Sequence, residues 1–187
     1  MLIDLSLPLT NPSAENVKQR DADLFQLGHY GTHLNRLLNS TIPLNYFISR
    51  ALLFNVSDFA QHKSVESEDV LLEIIEPGDF IIFHTGAMGR NPYASKAYLD
   101  EFIEFSWDLL TSLLEKNIHF IGLDARGLRR NEEHRQADIL CEESGTFVIE
   151  NLNQTELLPY NRAFTIYTSW FDTSGTGIPC KVIAELD

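Results

Sequence analysis

The chain has 187 residues, which at ~150 residues per domain gives one domain, able to build a core without staples. Lys and Arg number 14 against 27 Asp and Glu, a net charge of −13, which argues against a nucleic-acid or anionic-membrane partner. Hydrophobic residues at 44% and charged residues at 22% exclude a disordered chain, and two distant cysteines, Cys141 and Cys180, exclude a disulfide framework.

In chain order, the alternating Leu2–Leu7 opens as a strand. The acid at position 4 and the lack of a basic start argue against a secretory signal. Asp23–Gln26 is expected to be extended and to lead into a histidine cluster. Leu52–Val56 follows Ile42–Arg50 as a strand. Asp79–Phe83 comes directly after Pro77-Gly78, a turn pair, and reads as a buried strand. One long helix is predicted from a Ser95 cap to Asn117, because Tyr98, Phe102, Phe105, Leu109, Leu110, Leu113 and Leu114 recur at helical spacing. Ile118–Leu123 and Thr146–Ile149 are apolar strands on either side of a shorter helix over Glu132–Glu143. Phe164–Phe171 and Cys180–Leu186 form a hairpin-like pair across a loop with Gly175 and Gly177. Nothing reaches the ~18 apolar residues of a membrane span, and the cysteine usage points to a reducing, cytoplasmic setting. The whole is a strand-rich α/β single domain over residues 1–187.

The chemistry concentrates in Gly28-His29-Tyr30-Gly31-Thr32-His33-Leu34-Asn35-Arg36. On a fully extended strand, His29 and His33 share a side but stand about 13 Å apart at ~3.3 Å per residue. Two ligands of one zinc ion each need a nitrogen ~2.1 Å from it. A chain holding a metal here must bend or turn helical, and Gly31 permits the bend. Ile121-Gly122-Leu123-Asp124 and Phe147-Val148-Ile149-Glu150 are apolar strands that each end on an acid. A buried carboxylate needs a partner or a cation, so His134 and Glu150 are candidates to complete a histidine–carboxylate set. Set against this, histidines four apart arise by chance, His134 can be a solvated helix residue, and Glu150 can be an edge acid in an ion pair.

At these residues the chain resembles the cyclase-like metal-dependent hydrolases, the group with bacterial kynurenine formamidase and isatin hydrolase. Their signature runs roughly HxGTHxDxPxH, and here it reads His29-Tyr30-Gly31-Thr32-His33-Leu34-Asn35-Arg36-Leu37-Leu38-Asn39. Ile3-Asp4-Leu5-Ser6, His84-Thr85-Gly86, Ile121-Gly122-Leu123-Asp124 and Ile149-Glu150-Asn151-Leu152 extend the likeness over nearly the whole chain. The resemblance implies a swivelling β/β/α fold, a homodimer or higher oligomer, and a divalent metal, zinc or manganese. It carries over His29, His33 and Glu150 as ligands. It also implies a downstream histidine. Asp138 stands twelve residues before Glu150, and His134 lies one helical turn earlier, so both are candidates.

The chain departs from the signature at three places. Asn35 replaces a ligating Asp, a neutral amide for a carboxylate. Leu37 replaces a proline, a backbone matter. Asn39 replaces a histidine that works as an acid/base group, and an amide carries no proton at neutral pH. The activity implied is hydrolysis of an amide, formamide or cyclic amide in a small-molecule substrate. Glu150, His134, His84 or Asp138 would then supply the base. Asn35, Asn39 and Arg126 are candidates for holding the substrate. Arg129 and Arg130 read either as further carboxylate binders or as a solvated basic turn, and Phe25, Tyr30, Tyr46 and Phe47 as pocket lining or core. Two other readings stand beside this one: a catalytically impaired relative that binds a small molecule or partner, which Asn35 and Asn39 favour, and a lyase using the same metal.

Overall fold

The computed structural model describes residues 1–8, 18 and 22–186. Eight strands form one sheet: β1 (Leu2–Asp4), β2 (His33–Asn35), β3 (Ile48–Asn55), β4 (Phe80–His84), β5 (Phe120–Leu123), β6 (Phe147–Glu150), β7 (Phe164–Trp170) and β8 (Gly177–Glu185). Their order is β1-β8-β2-β6-β5-β4-β3-β7, and β7 also pairs with β8. That last pairing closes seven strands into a barrel, with β1 and β2 end to end along one edge of β8. β3 to β6 run parallel, and the remaining pairings are antiparallel.

Parallel strands are buried on both faces, so their sequences read as continuous apolar runs rather than alternations. Here Leu53, Phe80, Ile82, Phe120, Phe147 and Ile149 fill the barrel interior together with Leu34 and Ile178. Their neighbours Leu52, Phe54, Ile81, Phe83, Ile121, Leu123 and Val148 form a second core on the outer face, beneath the helices. Gly122 faces inward, where a Cβ would come within 2.5 Å of Phe80 and 2.7 Å of Leu152, so a tight interior accounts for glycine there.

The described helices are α1 (Ala22–Gln26), α2 (Ala87–Arg90), α3 (Lys96–Asp100), α4 (Trp107–Leu114) and α5 (Asn131–Glu143). Two expectations are corrected. Asp23–Gln26 is a helical turn, not a strand, because the following amides find local carbonyls: Leu27 N–H bonds Asp23 O at 3.0 Å and His29 N–H bonds Leu24 O at 2.9 Å. The long helix over 95–117 splits into α3 and α4, and α5 is the longest of the described helices. Ser95 does cap α3 and Asn117, at φ 56°, closes the end of α4. Between them the backbone is taken by long-range partners: Phe105 N–H bonds Leu128 O, Ser106 N–H bonds Val65 O, and Val65 N–H bonds Glu104 O. Ile103 and Phe105 are buried while Phe102 and Glu104 are partly exposed, a period of two inside an apparent helical pattern. Both cysteines are free. Among the described residues no helix is long and apolar enough to cross a membrane.

Candidate metal centre

Strand alternation aims the donors. On β2, Leu34 points into the barrel, which puts His33 and Asn35 on the outer face under α5. On β6, Ile149 points inward and Glu150 outward. Antiparallel register sets His33 directly opposite Glu150, with His33 Nε2 3.6 Å from Glu150 Oε2. Helix α5 crosses above and presents His134 and Asp138, one turn apart, on its inward side. His134 Nε2 lies 3.0 Å from Glu150 Oε1 and 3.3 Å from Asp138 Oδ2. His134, Asp138 and Glu150 offer ligand atoms within 4.8 Å of one another.

His29 reaches the same place through a bend. Gly31 adopts φ 59°, and His29 Nδ1 comes within 3.1 Å of His33 Nε2. The chain enters this bend where Gly28 crosses Gly177 so closely that a Cβ on Gly28 would lie 1.9 Å from the Gly177 carbonyl oxygen. The bend is held by hydrogen bonds. Gly31 O accepts from His33 Nδ1 at 3.0 Å and from Asn151 Nδ2 at 2.8 Å, and Gly31 N–H donates to Tyr93 at 2.6 Å. With Nδ1 of His33 donating to a carbonyl, its Nε2 lone pair faces the cluster. His29 Nε2 meets the Thr176 hydroxyl at 2.8 Å.

Asn35 Nδ2 donates to both carboxylates, at 2.9 Å to Asp138 Oδ2 and 2.9 Å to Glu150 Oε1. The opposite atoms are left over: Asn35 Oδ1 and Asp138 Oδ1 are buried without a hydrogen-bond partner. Orphaned buried acceptors are costly, and both of these belong to residues of the donor cluster. The donor set of histidine nitrogens and carboxylate oxygens fits a divalent metal.

The charged groups of the cluster set one another's ionisation. Burial works against a charged His134, but the Glu150 and Asp138 carboxylates overcome it and push its pKa up to about 10. Burial likewise opposes ionisation of Glu150, yet His134 and the other donors hold its carboxyl well below the usual range. Asp138 is raised by burial, against the pull of His134. His29 is lowered to about 4 by burial and by His33 beside it, so it stays neutral and able to bind a metal.

The cluster lies at the floor of a cavity of about 580 Å³ whose lining also includes Arg126, Arg129, Arg130, Arg135, Tyr98 and Asn151. Two further candidates lie elsewhere. His84 ends β4 in a separate cavity of about 530 Å³, with Nδ1 2.8 Å from the Thr155 hydroxyl and 3.3 Å from Asp124. Asn39 is exposed in a left-handed turn at φ 59°, flanked by Leu38 and Ser40, whose amides both donate to Glu142. Tyr46 stacks on His119 and packs against the barrel core, and Phe25 stacks on Tyr30. Sequence reasoning gave no role to Thr176, Tyr98 or the Asn151 side chain. Asn151 adjoins Glu150, a usable signal, but Thr176 lies 147 residues from His29 and its Gly-x-Gly context reads only as a turn.

Fold and donors together define a barrel with a carboxylate–histidine cluster of metal-binding type on its helix-covered face. The chain belongs to the Cyclase family ("Putative cyclase"), whose profile matches residues 3–128. The match takes in His29, His33 and Asn35 and stops before α5 and Glu150. No curated protein shows significant sequence similarity. Among solved structures, a potential metal-dependent hydrolase with cyclase activity is 22% identical at TM-score 0.77, covering 98% of this chain and 96% of its own. A predicted metal-dependent hydrolase from Bacillus stearothermophilus is 19% identical at TM-score 0.74, covering 98% and 97%. Isatin hydrolase A from Labrenzia aggregata is 17% identical at TM-score 0.71, covering 83% and 72%. At such identities the likeness is one of fold.

Proposed function

We propose that this protein is a metal-dependent hydrolase of an amide, formamide or cyclic amide bond in a small molecule. One observation carries the reading: His134, Asp138 and Glu150 bring ligand atoms within 4.8 Å of one another, His33 and His29 adjoin them in turn, and buried unsatisfied acceptors lie among them at the floor of a cavity. His29, His33, Asp138 and Glu150 would hold a divalent metal, with His134 a further ligand candidate beside the two carboxylates. Such an ion, when bound, supplies a water of lowered pKa and a polarised carbonyl.

The chain's own residues do the rest. Asn35 fixes the two carboxylates through its amide hydrogens. The Gly31 carbonyl fixes the His33 tautomer, and Thr176 orients His29. His134 is partly exposed to the cavity, lies within hydrogen-bond reach of both carboxylates, and carries the proton. From that position it would pass a proton between a water molecule in the cavity and the leaving nitrogen. The family's implied oligomer is part of this reading.

A second reading, a non-catalytic ligand-binding relative, is favoured by Asn35 itself, whose bonds to both carboxylates hold the cluster together without a metal. Metal analysis separates the two. Protein purified without tag or chelator is expected to hold zinc or manganese, to lose it in His33→Ala, and to hydrolyse members of a formamide, lactam and cyclic imide panel only when metal-loaded. Failure to retain either metal after incubation and desalting overturns the hydrolase reading and leaves the binding relative.

A further inference from the structure

We propose that the cavity above the donor cluster selects molecules carrying a carboxylate or similar anionic group, gripped by Arg126, Arg130 and Arg135 at its mouth. The proposal rests on the hydrolase reading for the chemistry at the floor, but the anion site stands on separate residues. In a chain with 14 basic and 27 acidic residues, basic side chains are expected to find acidic partners, yet no carboxylate lies within ion-pair distance of these three among the described residues. All three line the cavity.

Acids that line or flank the cavity are already engaged elsewhere, and Glu132, on the first turn of α5, lies beyond ion-pair distance of all three. Asp100 pairs with Lys96, Glu101 takes Arg90 and Asn91, and Glu133 takes Arg129. At the floor, Asp138 and Glu150 are answered by His134 and Asn35. Arg130 packs over the Phe102 ring, 5.6 Å from its centroid, which positions a cation without neutralising it. Arg126 and Arg135 are exposed on either side of the α5 N-terminus. Unpaired guanidinium groups that share one opening repel each other, and an anion removes that cost by accepting paired N–H bonds. Leu27, Leu99 and Ile103 line the walls of the same cavity. The fitting molecule therefore has an anionic end, an apolar middle and a hydrolysable amide or lactam end.

Phenylacetate and its neutral counterpart phenylacetamide test this by isothermal titration on chelator-treated and on metal-loaded protein. Phenylacetate is expected to bind the chelator-treated wild type at least about tenfold more tightly than phenylacetamide, and to weaken as salt is added. The triple variant Arg126→Gln/Arg130→Gln/Arg135→Gln is expected to lose that preference. Arg126→Gln and Arg135→Gln alone, both at exposed positions, each lose part of it with unchanged circular dichroism. His33→Ala, treated with chelator, is expected to keep phenylacetate binding. Equal affinity for the two probes, no phenylacetate binding, or undiminished binding in the triple variant overturns the anion site. A protein that retains no metal but shows the arginine-dependent preference supports the anion site and removes the hydrolase reading. A metal-loaded, active protein indifferent to the three arginines does the reverse.

Discussion

An amide at position 35 changes what the donor cluster can tolerate. Asn35 gives two hydrogens to two carboxylates, whereas an aspartate there would place a third buried carboxylate beside Asp138 and Glu150. Uncompensated buried charge is costly, so Asn35→Asp is expected to destabilise the chelated protein by about 2–4 kcal/mol. Excess zinc or manganese should recover most of the loss. Urea midpoints with and without chelator measure both, and an Asn35→Asp protein as stable as wild type in chelator would sink the argument. His134 sets a second expectation. Its folded pKa is raised from 6.5 to about 10, so in the metal-free protein its contribution is complete below 6.5 and is lost as pH climbs toward 10. The melting temperature of the chelated wild type should fall across that window more steeply than that of His134→Gln, and equal slopes by calorimetry would remove His134 from the pair. Much of this cluster was legible in the sequence as residue types and spacings. Its pairing was not, because His33 faces Glu150 across 117 residues and only strand register brings them together.

At the scale of elements, seven of the eight described strands were legible as apolar or alternating runs, and the last two were joined by a glycine-bearing loop, whereas β2, with His33 and Asn35 around a single Leu34, carried no strand pattern and is set by its partners β6 and β8. The long helix misled because Phe102 and Phe105 continue the helical spacing of Tyr98, while Phe105 N–H is taken by Leu128 O and the flanking Glu104 and Ser106 are paired with Val65. Periodicity reports which side chains are apolar, not which distant carbonyl takes an amide. The entry to α5 carries its own prediction. Gly127 adopts φ 72°, and a Cβ there would lie 2.5 Å from His134 Cε1. Gly127→Ala therefore strains the backbone and displaces the ring of a cluster residue. Gly78→Ala is the matched control, with φ 87° and an added Cβ at ordinary contact distance, 3.4 Å, from His119. Both substitutions should cost about 1–3 kcal/mol from backbone strain. Gly127→Ala alone should shift the His134 ring resonances and their titration by NMR. Identical spectra for that ring in the wild type and Gly127→Ala would show that the loop does not position it.

For the molecule as a whole, the donors span residues 29 to 150 and come from the bend before β2, from β2 and β6, and from α5. Sequence placed these segments in order but gave no closure of the barrel, since β3 meets β7 and β7 meets β8 on opposite sides of a seam set only by the sheet's twist and register. An unfolded chain cannot gather ligands this far apart into one geometry, so a bound metal stabilises only the folded state and is linked to global unfolding. At one hundred times its dissociation constant, a single metal ion adds about 2.7 kcal/mol. For a domain of this size each kcal/mol moves the melting temperature by about 2–4 °C, which gives a rise of roughly 5–11 °C. The rise should grow with the logarithm of free metal, reverse on chelation, and vanish in His33→Ala. Magnesium, which favours an all-oxygen shell, should reproduce little of it. A melting temperature that ignores zinc and manganese would mean that Asn35 and the ion pairs of His134 already complete the cluster. The barrel would then owe its stability at this face to protein groups alone.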